Sequence, residues 1–332
     1  MRAVQVSQAG ADFEVVDREV PEPGRWEVRV RTGACGVCHS DAMAAGGMAS
    51  SYPRVPGHEV AGTVDAVGEG VTQWEVGQRV GIGWFGGACF TCVPCRDGDF
   101  ISCTAQKVTG LSADGGYAEH VVAPADALAA VPDELTDAEA APLMCAGVTC
   151  FNALRESGAR PGDVVAIIGL GGLGHLGVQF AAKMGFEVVA VARGQEKGDF
   201  ARQLGAHHYV DSTTQDVAEE LTALGGASVV LSTVTDASAA TSAVGGLAPR
   251  GRLVVVGVPE QPLEVAAVDL ILASRLVAGH ASGTAKDSED CLRFAALTGV
   301  RPMVEEAPLA EAQTAFQQML DGKPRFRMVL TA

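Results

Sequence analysis

An unbroken apolar run, Val164–Ile168, ends abruptly in Gly169-Leu170-Gly171-Gly172-Leu173-Gly174 and passes at once into a helical pattern beginning at His175. A strand that becomes a helix through glycines in this order is the first unit of an open parallel sheet, because only a turn without side chains lets the helix fold back on its own strand. Gly169 makes the tight turn, Gly171 lets backbone N–H groups approach a pyrophosphate, and Gly174 allows helix and strand to close up. Gly172 and Leu173 complete the turn, and the helix N-terminus behind it favours negative charge. Downstream the texture keeps alternating through Val188–Val191, Lys197–Leu204, His208–Val210, Val229–Leu231 and Arg252–Val256, as a doubly wound α/β layer requires.

The remainder of the 332 residues is too long to share that one core, so a second domain is expected. From Met1 to about Val131 short alternating runs such as Val28-Arg29-Val30, Val60–Val67 and Arg79-Val80 are broken by Gly and Pro, a pattern of many short strands. A helical stretch at Thr136–Leu154 crosses between domains, and after Gly279 a helix near Ser288–Leu297 and a closing strand at Phe326–Leu330 rejoin the first domain. The expected division is 1–150 with 286–332, and 151–285.

A net charge of −16, from 24 basic against 40 acidic residues, repels phosphate backbones and anionic membrane surfaces, so neither nucleic acid nor membrane is an expected partner. The most apolar region, Val164–Ala192, is interrupted by His175, Gln179, Lys183 and Glu187 and does not read as a membrane span. The N-terminus alternates like a strand and carries no secretory signal, which makes the cytoplasm the expected compartment.

Four of nine cysteines fall as Cys89-x2-Cys92-x2-Cys95-x7-Cys103 in a loop rich in Gly, Pro and Asp. Four thiolates at this spacing can close a tetrahedron around Zn²⁺ with no open position, a structural site. Disulfides are disfavoured in a reducing compartment, and a bacterial iron–sulfur run would end Cys-x3-Cys-Pro. A second constellation is dispersed over Cys38-His39-Ser40-Asp41, Gly57-His58-Glu59 and Met144-Cys145-Ala146. Each piece alone is more often a packed Cys or a satisfied core His; together they supply Cys₂His, a set that leaves one tetrahedral position open for catalysis.

With these motifs the chain resembles the medium-chain zinc-dependent alcohol dehydrogenase family nearly end to end. The resemblance implies a GroES-like β-rich catalytic domain plus a doubly wound Rossmann cofactor-binding domain, two zinc ions per chain, NAD(P)H, and a homodimer or homotetramer formed through sheet edges of the second domain. It makes Cys38, His58 and Cys145 the catalytic zinc ligands, puts Glu59 behind the metal, and makes Asp41 the acceptor that orients His58. Ser40 is implied to hydrogen-bond the substrate oxygen and begin the proton path. His39, Thr149 and Arg327 are implied cofactor contacts, and Trp84 and Met48 walls of an apolar pocket suited to a primary alcohol or aldehyde. Cys35, Cys150 and Cys291 match no ligand position and read as small core residues; His175 reads as a packing or hydrogen-bonding residue.

Two departures stand out. Ala192 occupies the position where an acid normally binds the adenosine ribose of NAD, and the neighbouring Arg193 can pair with a 2′-phosphate, which leans the expectation towards NADP. Met43 stands where relatives often carry a relay His. Reduction of C=C or C=N bonds, polyol oxidation, and a nucleotide-binding protein without catalysis are the alternatives on the same scaffold.

Overall fold

Strands β1 (Arg2–Val6), β2 (Phe13–Asp17) and β3 (Glu27–Gly36) open the chain in a computed structural model that describes every residue from Met1 to Ala332. β4 (Val60–Val67), β5 (Arg79–Ile82), β6 (His120–Pro124) and β7 (Leu128–Ala130) follow. Then comes a second group, β8 (Val164–Ile168), β9 (Glu187–Ala192), β10 (His208–Asp211), β11 (Ala227–Ser232), β12 (Leu247–Val255) and β13 (Leu276–Gly279). The chain closes with β14 (Val304–Pro308) and β15 (Arg327–Thr331). It divides into two compact units, Met1–Val148 with Gly283–Ala332, and Thr149–Ser282.

In the first unit a mostly antiparallel sheet runs β14-β15-β3-β4-β5-β7, with β6 also paired to β3. β3 earns its central place by alternation: Val28, Val30, Thr32 and Ala34 turn inward while Arg31 faces solvent. Val4 of β1, Val60 of β4, Ile82 of β5 and Leu330 of β15 join the same core. A helix over Asp137–Pro142, capped reciprocally by Thr136 and Glu139, packs against β3 and β4.

The second unit is a parallel sheet in the order β10-β9-β8-β11-β12-β13. The order reverses between β8 and β11, so the crevice at their carboxyl ends is where such a sheet takes its ligand. All of β8 is buried, as a central parallel strand must be. The edge strand β13 was not anticipated: four residues, Leu276-Val277-Ala278-Gly279, are too few to show a period. No helix is long and apolar enough to cross a membrane.

Candidate active site

The register of β3 against β4 builds the site in the first unit. Cys35 pairs with Val60, and the Gly36 amide donates to the Glu59 carbonyl at 2.8 Å, so the segments just beyond, Val37-Cys38 and Gly57-His58, emerge side by side. Cys38 caps a short 3₁₀ turn, His39–Asp41, and the Asp41 carboxylate accepts from the Cys38 amide at 2.9 Å. Cys145 arrives on a π-helical turn, Leu143–Gly147, a distortion that re-aims one side chain out of a continuing helix. Gly81 on β5 makes room for this turn, because a Cβ there would stand 2.5 Å from Met144 Sδ.

One ligand atom each from Cys38, His58, Glu59 and Cys145 lies within 4.8 Å of the others. His58 presents its Nδ1 to Asp41 Oδ1 at 3.0 Å, which leaves a buried Nε2 with no hydrogen-bond partner. A buried imidazole nitrogen left unpartnered beside two thiols is a donor set that fits zinc, with one position open. A hydrogen bond from the Cys145 thiol holds Cys38 well below the usual thiol range, while the same contact and burial push Cys145 up. Those shared protons are what a metal displaces.

Glu59, the carboxylate of this group, is wholly buried. Burial raises its carboxyl to about 7, against the pull of Arg327, whose Nη2 donates to Glu59 Oε1. The second oxygen, Oε2, has no partner and crowds Gly36, where a Cβ would meet it at 2.0 Å. Arg327, the residue expected at the pyrophosphate, is 5% exposed, and its guanidinium donates to Glu59 and to the Val37 carbonyl. The last strand carries it inward, and no pattern in that strand could distinguish this from a surface charge.

Trp84 sets its ring edge-on to His58, centroids 5.0 Å apart, so an indole borders the ligand set. Met48 ends the segment Ala44–Met48 and is 62% exposed. Ser40 is half-buried inside the 3₁₀ turn, and His39 is exposed beside it. Tyr117 was missed by sequence reasoning: wholly buried, it donates its hydroxyl to Asp41 Oδ2 at 2.8 Å across 76 residues of chain, a separation no local pattern spans. Burial and the neighbouring Asp41 carboxylate push its pKa well up, so the hydroxyl keeps its proton.

The four remaining ligand candidates gather in a separate lobe of the same unit, their sulfur atoms all within 4.8 Å of each other. Cys92 Sγ and Cys103 Sγ are 3.9 Å apart, near the ~3.8 Å edge of a tetrahedron with Zn–S bonds of about 2.3 Å. Backbone amides of Cys89, Cys92 and Ala105 point at the sulfurs of Cys103, Cys89 and Cys103, and such donors stabilise thiolates. The Thr91 hydroxyl and amide lead the groups that pull Cys89 down to about 5. Cys35, Cys150 and Cys291 are buried and belong to neither ligand set.

In the second unit the glycine turn has the geometry its sequence asks for. Gly169 has φ +97°, and a Cβ on it would strike Thr233 Oγ1 at 2.7 Å. Gly174 opens the helix Gly174–Lys183, and a Cβ there would fall 1.8 Å from the Gly169 carbonyl oxygen. Gly171 faces open space and is exposed, with Gly172 and Leu173 partly so. His175 is buried with Nδ1 3.0 Å from the Gly171 carbonyl, a brace for the turn. At the end of β9, Ala192 is buried and Arg193 exposed without an ion pair. One oxygen of the nearby Asp211, Oδ1, accepts from the Gly194 and Thr213 amides and the Thr213 hydroxyl. Thr149 begins this unit and is buried.

Residues 24–133 match the model of the alcohol dehydrogenase GroES-like domain, and 172–296 that of the zinc-binding dehydrogenase domain. An alcohol dehydrogenase of an Aspergillus species, notN, is 42% identical over 325 residues, covering 98% of this chain and 96% of its own. The chain belongs to the medium-chain zinc-dependent alcohol dehydrogenase family. Two solved structures span it as well. An NAD-dependent alcohol dehydrogenase superposes with a TM-score of 0.90 at 30% identity over 100% of both chains. The CAD of Helicobacter pylori, solved with NADP(H), gives 0.86 at 27% identity over 99% of this dehydrogenase and 97% of its own chain. The expected GroES-like and Rossmann architecture is thereby that of the protein.

Proposed function

We propose that this zinc alcohol dehydrogenase interconverts a primary alcohol and its aldehyde with NADP(H), holding two zinc ions per chain. The observation that carries the reading is the buried, unpartnered Nε2 of His58 facing Cys38 and Cys145. When bound, the metal supplies a Lewis acid at the substrate oxygen and the nicotinamide supplies or accepts the hydride.

The chain's own residues do the rest. Asp41 keeps His58 in the tautomer whose Nε2 lone pair is free, by accepting from Nδ1. Trp84 excludes water beside the ligands, which favours apolar substrates. Ser40 hydrogen-bonds the substrate oxygen and passes its proton on; Met43 cannot carry that proton further, so it leaves to water. His39, Thr149 and the turn Gly169–Gly174 hold the cofactor, the turn through amides at a helix N-terminus.

NADP is favoured by the small buried Ala192 and by the exposed, unpaired Arg193 beside it. A second copy of the chain is the natural cover for β13, where Leu276 is 49% exposed and the adjoining Ile271 and Leu272 are 73% and 82% exposed. Nine cysteines, none of them in a disulfide, suit a reducing, cytoplasmic setting. The deciding experiment is oxidation of NADPH and NADH with benzaldehyde or a short aliphatic aldehyde, with and without a zinc chelator. Turnover that prefers NADPH and is lost with chelator is expected; turnover indifferent to metal would defeat the reading, and a preference for NADH would defeat its cofactor half.

A further inference from the structure

Behind the ligand set, one carboxylate does two jobs. Asp41 Oδ1 faces His58 Nδ1 at 3.0 Å, and Oδ2 takes the Cys38 amide at 2.9 Å, so both ligands are aimed by the same group. A carboxylate held at two points of one edge can still rock about its Cβ–Cγ bond. The third donor is the Tyr117 hydroxyl, 2.8 Å from Oδ2.

We propose that Tyr117 is a positioning residue for the metal site, fixing His58 and Cys38 through Asp41. The inference rests on the reading of Cys38, His58 and Cys145 as the zinc ligands.

The ring itself is placed by the segment it serves. Gly57, with φ +98°, precedes His58, and a Cβ on Gly57 would meet the Tyr117 ring at 2.4 Å. The Tyr117 amide donates to the Pro56 carbonyl at 3.0 Å and the Gly116 amide to the Gly57 carbonyl at 2.9 Å. Phe13 closes the far side, edge-on at 5.8 Å between centroids. Phenylalanine would fill the same space, so the hydroxyl is the part that packing does not explain. A buried hydroxyl without an acceptor is unfavourable, and here its acceptor is the group that orients a ligand.

The test compares the wild-type holoenzyme with Tyr117→Phe, Asp41→Asn and the double variant. Cobalt(II) is placed in the catalytic site, and Cys38→Ser identifies which metal pool that is. Tyr117→Phe is expected to speed release of that metal to a chelator by roughly tenfold, the low end for losing an outer hydrogen bond. It should also shift the visible cobalt band, and add nothing further in the Asp41→Asn background. An unchanged release rate and spectrum, or an effect that adds in full to Asp41→Asn, would overturn the proposal while leaving the zinc reading intact. If Cys38→Ser removes no metal, the zinc reading falls and this inference with it. Should Tyr117→Phe not fold, fluorotyrosine incorporation keeps the ring and strengthens the donor; a cobalt band that moves supports the role, and one that stays put overturns it.

Discussion

Arg327 on the last strand and Glu59 just before β4 form an ion pair in which both side chains are buried. Removing one partner of such a pair leaves an uncompensated charge, so Arg327→Leu should lower stability by about 3–5 kcal/mol in urea unfolding at pH 8. The sign with pH follows from Glu59. Its folded pKa, about 7, already lies above the ordinary carboxyl value, and loss of Arg327 raises it further. The carboxyl's penalty is therefore absent at low pH and grows as pH rises, so the variant's deficit should be larger at pH 8 than at pH 6. Equal deficits at both would mean that Glu59 does not titrate in response to Arg327.

Gly174→Ala should damage cofactor binding and spare the metal sites. The added methyl would fall 1.8 Å from a backbone carbonyl, which has no flexible end to yield. A KM for the dinucleotide raised at least about tenfold, with zinc content unchanged, is expected from a turn displaced by that clash. An unaltered KM would mean that the helix start does not contact the pyrophosphate.

The cysteine lobe carries a different expectation. Cys95→Ser should lose one zinc and lower the thermal midpoint before activity at room temperature declines, because a closed four-ligand site contributes folding energy and no open position. Retention of both metals and of the midpoint would count against it.

Arg193→Ala should raise the KM for NADPH on the order of tenfold, the value of one exposed charge-assisted contact, and leave that for NADH near its starting value. Steady-state kinetics with both cofactors decides it, and parallel changes would assign Arg193 to adenine stacking or to no cofactor role.

The parts of this molecule legible in sequence are those whose physics is local. A run such as Val164–Ile168 ending in glycines declares its own fold, and Cys89, Cys92, Cys95 and Cys103 lie within 15 residues of each other. The alternation at Val28–Val30 and Val60–Val67 corresponds to β3 and β4, and the helical pattern after Thr136 to three helical segments, Asp137–Pro142, Leu143–Gly147 and Val148–Arg155. The strand-to-strand register was not legible, and it decides who meets whom. Gly36 is a bare glycine in sequence and a clearance for Glu59 in space. Arg327 and Tyr117 reach partners hundreds or tens of residues away, through sheet pairings that hydrophobic period alone leaves open.

The glycine turn of the second unit has one more consequence. Its shape is held by the chain alone: the Gly169 amide bonds to the Val191 carbonyl, the Thr233 amide and hydroxyl both bond to the Ile168 carbonyl, and His175 braces Gly171. A dinucleotide meeting this cradle has little backbone to freeze, so its association is closer to a key entering a cut lock than to a fold completed on contact. Differences in grip between one dinucleotide and another should then show in how fast each departs rather than in how fast it arrives.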